Sequence, residues 1–236
     1  MSTYLLCIPT YNESENILDL LVRLGAQAIP NLSILVIDDG SPDGTADLVE
    51  GHSNQISILR RSRKEGLGPA YKAGFAWGLA RDFDFLIEMD ADGSHQPEEL
   101  SRLIQAAHSA DLVLGTRWMP GGAVENWPAY RKAISRIGTW YAEWGLKLPY
   151  KDLTGGFRVL TRDLLQKIDY DSIESIGYGF QIEIVMRAHN AGLRITEVPI
   201  TFIERTKGRS KMSKAIVFEA LQKTTRWAIS RRLYRR

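Results

Sequence analysis

Short apolar runs, each closed by a proline or an acidic turn, recur along the first ninety residues. Tyr4-Leu5-Leu6-Cys7-Ile8 reads as a strand ended by Pro9, and Asn12 followed by Glu15 fits the capping box of a helix whose apolar face carries Ile17, Leu18, Leu21 and Leu24. Ser33-Ile34-Leu35-Val36-Ile37 reads as a buried strand that stops at Asp38-Asp39-Gly40, with a helix after Ser41-Pro42-Asp43-Gly44. The unit repeats: Ile56-Ser57-Ile58-Leu59 predicts a third strand, GLGPAYKAGFAWGLA from Gly66 a third helix, and Phe83 to Met89 a fourth strand. Uninterrupted apolar strands alternating with helices predict an α/β fold, a mostly parallel central sheet with helices on both faces. Ligands of such sheets bind beyond the carboxyl ends of the strands, where Pro9-Thr10-Tyr11, Asp38-Asp39 and Asp90-x-Asp92 would share one edge.

The third cluster, in EMDADGSHQP at 88 to 97, carries the sharpest chemistry. Residues two apart on an extended segment point the same way, so the Asp90 and Asp92 carboxylates can converge on one spot. Two like charges held that close need a cation, and a hard ion such as Mg²⁺ or Mn²⁺ takes oxygen ligands and shares them with substrate phosphates. A phosphatase with a nucleophilic aspartate would normally carry it on its opening strand, whereas three strand-helix units precede Asp90. No GxGxxG follows the first strand and no GxxxxGK[ST] occurs, which argues against a hydride-transferring dinucleotide site and a P-loop. His95 reads as a packing or supporting residue, because a hard ion prefers oxygen.

Composition narrows the setting. The 236 residues amount to one large domain or two small ones, and a single cysteine, Cys7, forms no intrachain disulfide and fits a reducing compartment. No basic leader with an apolar stretch opens the chain, and no run of about 18 apolar residues would span a membrane. The net charge of +2 is polarised: residues 205 to 236 hold eleven Lys or Arg against one acid, Glu219, a local +10 that leaves −8 for the rest. Such a tail favours an anionic surface. Four of the six tryptophans lie between Trp118 and Trp144, and helical spacing aligns Ile134, Ile137, Tyr141 and Trp144 beside Arg131, Lys132 and Arg136. Amphipathic aromatics with adjacent cations suit a membrane interface, although the same stripe could pack on the sheet as core.

The motifs IPTYNE (8–13), VIDDGSPDGT (36–45), EGLGPAYKAG (65–74), DADGSHQP (90–97), GTRW (115–118), DLTGGFRVL (152–160) and ERTKGRSKMS (204–213) together resemble glycosyltransferase family 2. More narrowly they resemble its polyprenyl (dolichyl) phosphate mannose synthases, in a short form without transmembrane helices. The resemblance implies a GT-A domain over 1–212, followed by a basic amphipathic segment over 213–236. It implies inverting transfer of mannose from GDP-mannose to a polyprenyl phosphate, with Mg²⁺ or Mn²⁺. By the same resemblance Pro9, Tyr11, Glu13, Ile37 and Asp39 would line the nucleoside pocket, and Asp90, Ala91 and Asp92 would meet the diphosphate and sugar. Arg117 and Arg131 would hold phosphate near the acceptor, while Arg205 and Lys211 would close over the nucleotide-sugar. Asp90, Asp92, Arg117 and Arg131 would form the catalytic group. Several relatives carry a glutamine two residues after the second aspartate as a further metal ligand; here Ser94 stands there, and its hydroxyl or a water would serve.

An acceptor phosphate is largely ionised at neutral pH, so no strong general base is required. Asp152, Gln181 and Glu183 are secondary candidates to border the acceptor, or else structural hydrogen-bonders. The implied partners are GDP-mannose, a polyprenyl or dolichyl phosphate, an anionic membrane surface on the cytoplasmic face and a membrane-embedded subunit, with no nucleic acid. Three alternatives stand beside this reading: a family 2 enzyme using another nucleotide sugar of the UDP-glucose type or a glycan acceptor, a nucleotide-sugar-binding membrane adaptor without turnover, and a nucleic-acid binder using the basic tail.

Overall fold

In the computed structural model, which describes all residues except 54, 206, 208–213 and 234–236, the alternation of the first ninety residues becomes half of a seven-stranded sheet. Strands β1 (Tyr4–Thr10), β2 (Leu32–Asp38), β3 (Ser57–Arg60) and β4 (Phe85–Glu88) lie parallel in the order 3-2-1-4, connected by α1 (Ile17–Ala26), α2 (Thr45–His52) and α3 (Leu67–Leu79). Leu5 and Cys7 of β1 point into the core against Tyr71 and Phe75 of α3. Tyr4, Leu6 and Ile8 point into a second core with Leu20, Leu21 and Leu24 of α1 and with α4 (Leu100–Ala107). Both faces are dry, which is why these strands read as unbroken apolar runs.

Two local expectations change. β1 runs through Pro9 instead of ending before it, pairing Pro9 with Ile37 and Thr10 with Asp38. β4 ends at Glu88 opposite Cys7, so the position of the missing proline N–H lies beyond the partner it would have bonded. Asn12 and Glu15 do not cap α1. Asn12 sits at φ 54°, the helix begins at Ile17, and the Asn16 amide donates back to the Glu13 carboxylate (2.8 Å).

The second half departs from strict alternation. β5 (Leu112–Thr116) and β8 (Ile195–Pro199) are parallel to each other, but β7 (Arg158–Thr161) is inserted antiparallel between β4 and β5. Between β5 and β7 the chain makes β6 (Ala123–Glu125) and α5 (Ala129–Leu146); after β7 come α6 (Arg162–Lys167) and α7 (Tyr178–Asn190). β9 (Thr201–Ile203) pairs with β6 in a small second sheet above the cleft. α8 (Lys214–Leu233) lies against α5 and α7, burying Ala220 and Thr224. Among the described residues no helix is long and apolar enough to cross a membrane.

Candidate active site

The carboxyl ends of β1, β2, β4 and β5 open on one cavity of about 250 Å³. Its wall takes Pro9, Tyr11 and Glu13 from β1 and the loop after it, Asp39 from the end of β2, and Asp90, Ala91, Asp92 and His95 from the loop after β4. Arg117, Trp127, Arg131, Tyr178 and Arg205 complete the other side. The three clusters separated in sequence thus meet at one edge. Gly156 runs beside the carboxylates, with its Cβ position 3.4 Å from Asp90 Oδ1 and 3.8 Å from the His95 ring.

Asp90 keeps a third of its side chain exposed, and Asp92 is buried. Desolvation first, and then the charge of Asp92, push the Asp90 carboxyl well above the usual carboxylate range. A carboxylate whose ionisation is opposed in this way, with a second carboxylate beside it, suits a hard divalent ion. Among the described residues no third His, Cys, Asp or Glu joins them, so the remaining ligands would be phosphate oxygens or water.

Ser94 does not complete such a site. It is buried, and both its N–H (3.0 Å) and its hydroxyl donate to Asp92 Oδ1, so it orients the carboxylate and is itself turned away from the cavity. His95 supports from beneath. The Asp90 N–H donates to His95 Nδ1 (3.1 Å), and the ring stacks on Phe157 and meets Phe202 edge-on. Burial lowers its pKa, which keeps that nitrogen an acceptor at neutral pH.

On the nucleoside side Asp39 is paired with Arg61 at 2.5 Å, and burial raises its pKa despite that partner. Lys64 lies over the Tyr11 ring at 4.4 Å. Ile37 is a correction: its side chain is fully buried in the core, where a Cβ on Gly74 would come within 2.5 Å of it, so it does not line the cavity. Alternation along β2 turns Ile37 toward α3, while Asp39 lies past the end of the strand.

The opposite wall is cationic. Arg117 is buried and forks onto Asp152, with Nε to Oδ2 at 2.6 Å and Nη2 to Oδ1 at 2.8 Å, while its own N–H donates to the same carboxylate at 3.2 Å. Burial alone would raise the Asp152 pKa; Arg117 overrides it and holds the group below the ordinary value. Arg131 is ion-paired with Glu204 and stacks over Trp127 at 4.3 Å. An adjoining pocket of about 120 Å³ shares Arg117, Trp127, Arg131 and Tyr178 with the main cavity. It continues along Ile134, Gly138 and Tyr141 of α5 and Leu221 and Thr224 of α8. On α5 itself Tyr130, Ile134, Ile137, Trp140 and Trp144 are all more than half exposed, so most of the aromatic stripe faces outward and is not core; Tyr141 instead bonds Thr225 of α8.

Of the remaining sequence candidates, Arg205 reaches Asp92, Lys211 lies outside the described residues, and Glu183 binds Ser175 and Arg187 away from the cavity. Gln181 is fully buried, with neither amide atom hydrogen-bonded. The structure adds Trp127 and Tyr178 to the cavity wall, and Glu204 and Arg61 as partners of wall residues, none of which the sequence motifs single out. Trp127 and Tyr178 stand in stretches whose motifs point to other residues, and the pairings of Glu204 with Arg131 and of Arg61 with Asp39 span 73 and 22 positions, beyond any local pattern.

The description "Glycosyl transferase family 2" matches residues 5–169. The chain is 51% identical over 228 residues to an undecaprenyl-phosphate mannosyltransferase of Micrococcus luteus, covering 95% of this chain and 93% of that one. It is 48% identical over 236 residues to a polyprenol monophosphomannose synthase of Mycolicibacterium smegmatis, covering 98% and 89%. Among solved structures it is similar to glucosyl-3-phosphoglycerate synthase of Mycobacterium tuberculosis, in complex with Mn²⁺, UDP-glucose and phosphoglyceric acid. That likeness has a TM-score of 0.70 at 16% identity, over 94% of this chain and 80% of the other, and it shows a shared GT-A-like fold.

Proposed function

This chain belongs to glycosyltransferase family 2, and within it we propose an inverting transfer of mannose from GDP-mannose to a polyprenyl phosphate, giving polyprenyl phosphate mannose and GDP. The observation that carries the reading is the junction at Arg117 and Arg131. There a carboxylate-lined cavity meets a slot walled by Ile134, Tyr141 and Leu221, which suits an anionic head on a long apolar tail. The near-full-length identity to two relatives named for prenyl-phosphate mannosyl chemistry supports the acceptor and the sugar.

In this mechanism Tyr11, Glu13 and Asp39 receive the nucleoside. Asp90 and Asp92 would hold Mg²⁺ or Mn²⁺, which supplies charge neutralisation to the departing diphosphate. Arg117, fixed by Asp152, and Arg131 hold the acceptor phosphate, whose ionised oxygen attacks the anomeric carbon from the side away from the leaving group. The nucleophile carries its own negative charge, so no base on the protein is needed. The exposed stripe of α5 rests on the cytoplasmic face of a membrane, with its rings at headgroup depth and neighbouring cations on lipid phosphate.

The test is transfer of labelled sugar into organic-extractable lipid by the purified chain in detergent with polyprenyl phosphate. GDP-mannose and UDP-glucose are supplied separately, with Mn²⁺ or with chelator, for the wild type and Asp92→Asn. Transfer only from GDP-mannose, lost on chelation and reduced at least a hundredfold by Asp92→Asn, is the expected result. Transfer from UDP-glucose alone would reassign the donor, and binding of nucleotide sugar without transfer under any condition would leave the adaptor reading.

A further inference from the structure

Two consecutive residues at the end of β9 each bridge to a different part of the cleft. Glu204 takes Arg131, the cation proposed for the acceptor phosphate, and Arg205 is ion-paired with Asp92, Nη2 lying 2.7 Å from Oδ2. The Arg205 side chain is 19% exposed and that of Asp92 6%, so this pair lies at the cavity wall. The other oxygen of Asp92 is already taken by Ser94. Asp92 is therefore occupied by protein groups alone, a donor on one oxygen and a cation on the other, and that cation stands where a divalent ion would sit.

Arg205 and the ion cannot both be held closely on that carboxylate, because their like charges repel across a cleft of low dielectric. A guanidinium has a second natural destination in the same cavity, since its fork binds diphosphate oxygens as well as it binds a carboxylate. We propose that Arg205 is a placeholder for the metal. Without nucleotide it closes Asp92; a nucleoside diphosphate draws Arg205 onto its own oxygens, and the ion then enters beside it. Because Glu204 is the adjacent residue, the movement that frees Asp92 also loosens the hold on Arg131, so arrival of the donor readies the acceptor end. This inference rests on the metal-nucleotide reading of Asp90 and Asp92, and it makes metal and nucleotide binding reciprocally dependent.

The experiment measures Mn²⁺ binding directly, without turnover, by the loss of the free-ion paramagnetic resonance signal on adding the metal-free full chain, with and without GDP. Wild type is expected to hold Mn²⁺ weakly alone and at least tenfold more tightly with GDP. Arg205→Gln is expected to hold Mn²⁺ alone about tenfold more tightly than wild type, with a smaller gain from GDP. Lys207→Gln removes the same charge two residues away from a side chain that reaches the Glu15 carbonyl and not Asp92, and is expected to leave Mn²⁺ affinity unchanged. Melting temperatures of the metal-free variants, with Arg205→Lys as a milder second variant of intermediate affinity, guard against misfolding. The placeholder is overturned if wild type binds Mn²⁺ with GDP but Arg205→Gln gains nothing without it, or if Lys207→Gln gains as much. Failure of wild type to bind Mn²⁺ even with GDP, or equal binding by Asp92→Asn, would instead remove the metal site itself and the proposal with it.

Discussion

The cleft contains two kinds of arginine. Arg117 is buried, forked onto a buried Asp152 and bonded to Thr154, with every contact made by the protein itself. Arg131 and Arg205, on the same cavity, have side chains 25% and 19% exposed, and each holds its carboxylate through a single nitrogen. Burial sets the difference. A desolvated pair broken by removing one member leaves an uncompensated charge, whereas a pair at the cavity wall can exchange its partner for a ligand's phosphate at little cost. Arg117 is therefore the arginine held in one place to meet the acceptor phosphate, and Arg131 and Arg205 are those that can change partners.

That contrast breaks most visibly at Asp152. Asp152→Asn leaves Arg117 buried without its counter-charge and should cost about 3–5 kcal/mol of stability, read as a lowered midpoint in denaturant unfolding. An unchanged midpoint would mean that Arg117 is as exchangeable as its neighbours.

The second buried pair sharpens the contrast through pH. Glu88 lies fully buried in β4, 4.0 Å from Arg158, and burial lifts its pKa from 4.5 to about 7 despite that cation. A carboxyl raised in the folded state stabilises the fold fully below its unfolded pKa, and that contribution is lost as pH rises through the folded value. Stability should therefore fall between about pH 4.5 and 7 by on the order of 2–3 kcal/mol from this group, and Glu88→Gln should flatten the slope. Equal slopes for the two proteins would show that Arg158 keeps Glu88 ionised throughout.

The smallest effect belongs to the exchangeable class. Arg131→Gln should leave the unfolding midpoint within about 0.5 kcal/mol. It should lower kcat/KM for the lipid phosphate ten- to thirtyfold, the loss of one charge-assisted contact worth about 1.5–2 kcal/mol. A stability loss as large as that of Asp152→Asn would merge the two kinds of arginine.

The residues most legible in the sequence were those whose signal is local. Asp90 and Asp92 are two apart after an apolar run, Asp39 ends another, and the apolar runs themselves announced the parallel half of the sheet. The Asn12-x-x-Glu15 pattern is also compatible with what is found, a left-handed residue five positions before the first residue of the helix. Ser94 misled because its spacing after Asp92 resembles a ligand position, while its hydroxyl is spent on Asp92 itself.

By itself, then, the sequence determined the fold class, the edge of the sheet that bears the site, and the carboxylates and arginines available there, because strand periodicity and short spacing act over a few residues. Only the tertiary structure decided which charge faces which. The antiparallel β7 sets Arg158 beside Glu88, the loop before it carries Asp152 to Arg117 across 35 positions, and β9 delivers Glu204 and Arg205 to Arg131 and Asp92 across 73 and 113. Those pairings depend on long-range packing and desolvation, which no local pattern encodes, and they separate a locked arginine from one free to exchange its partner.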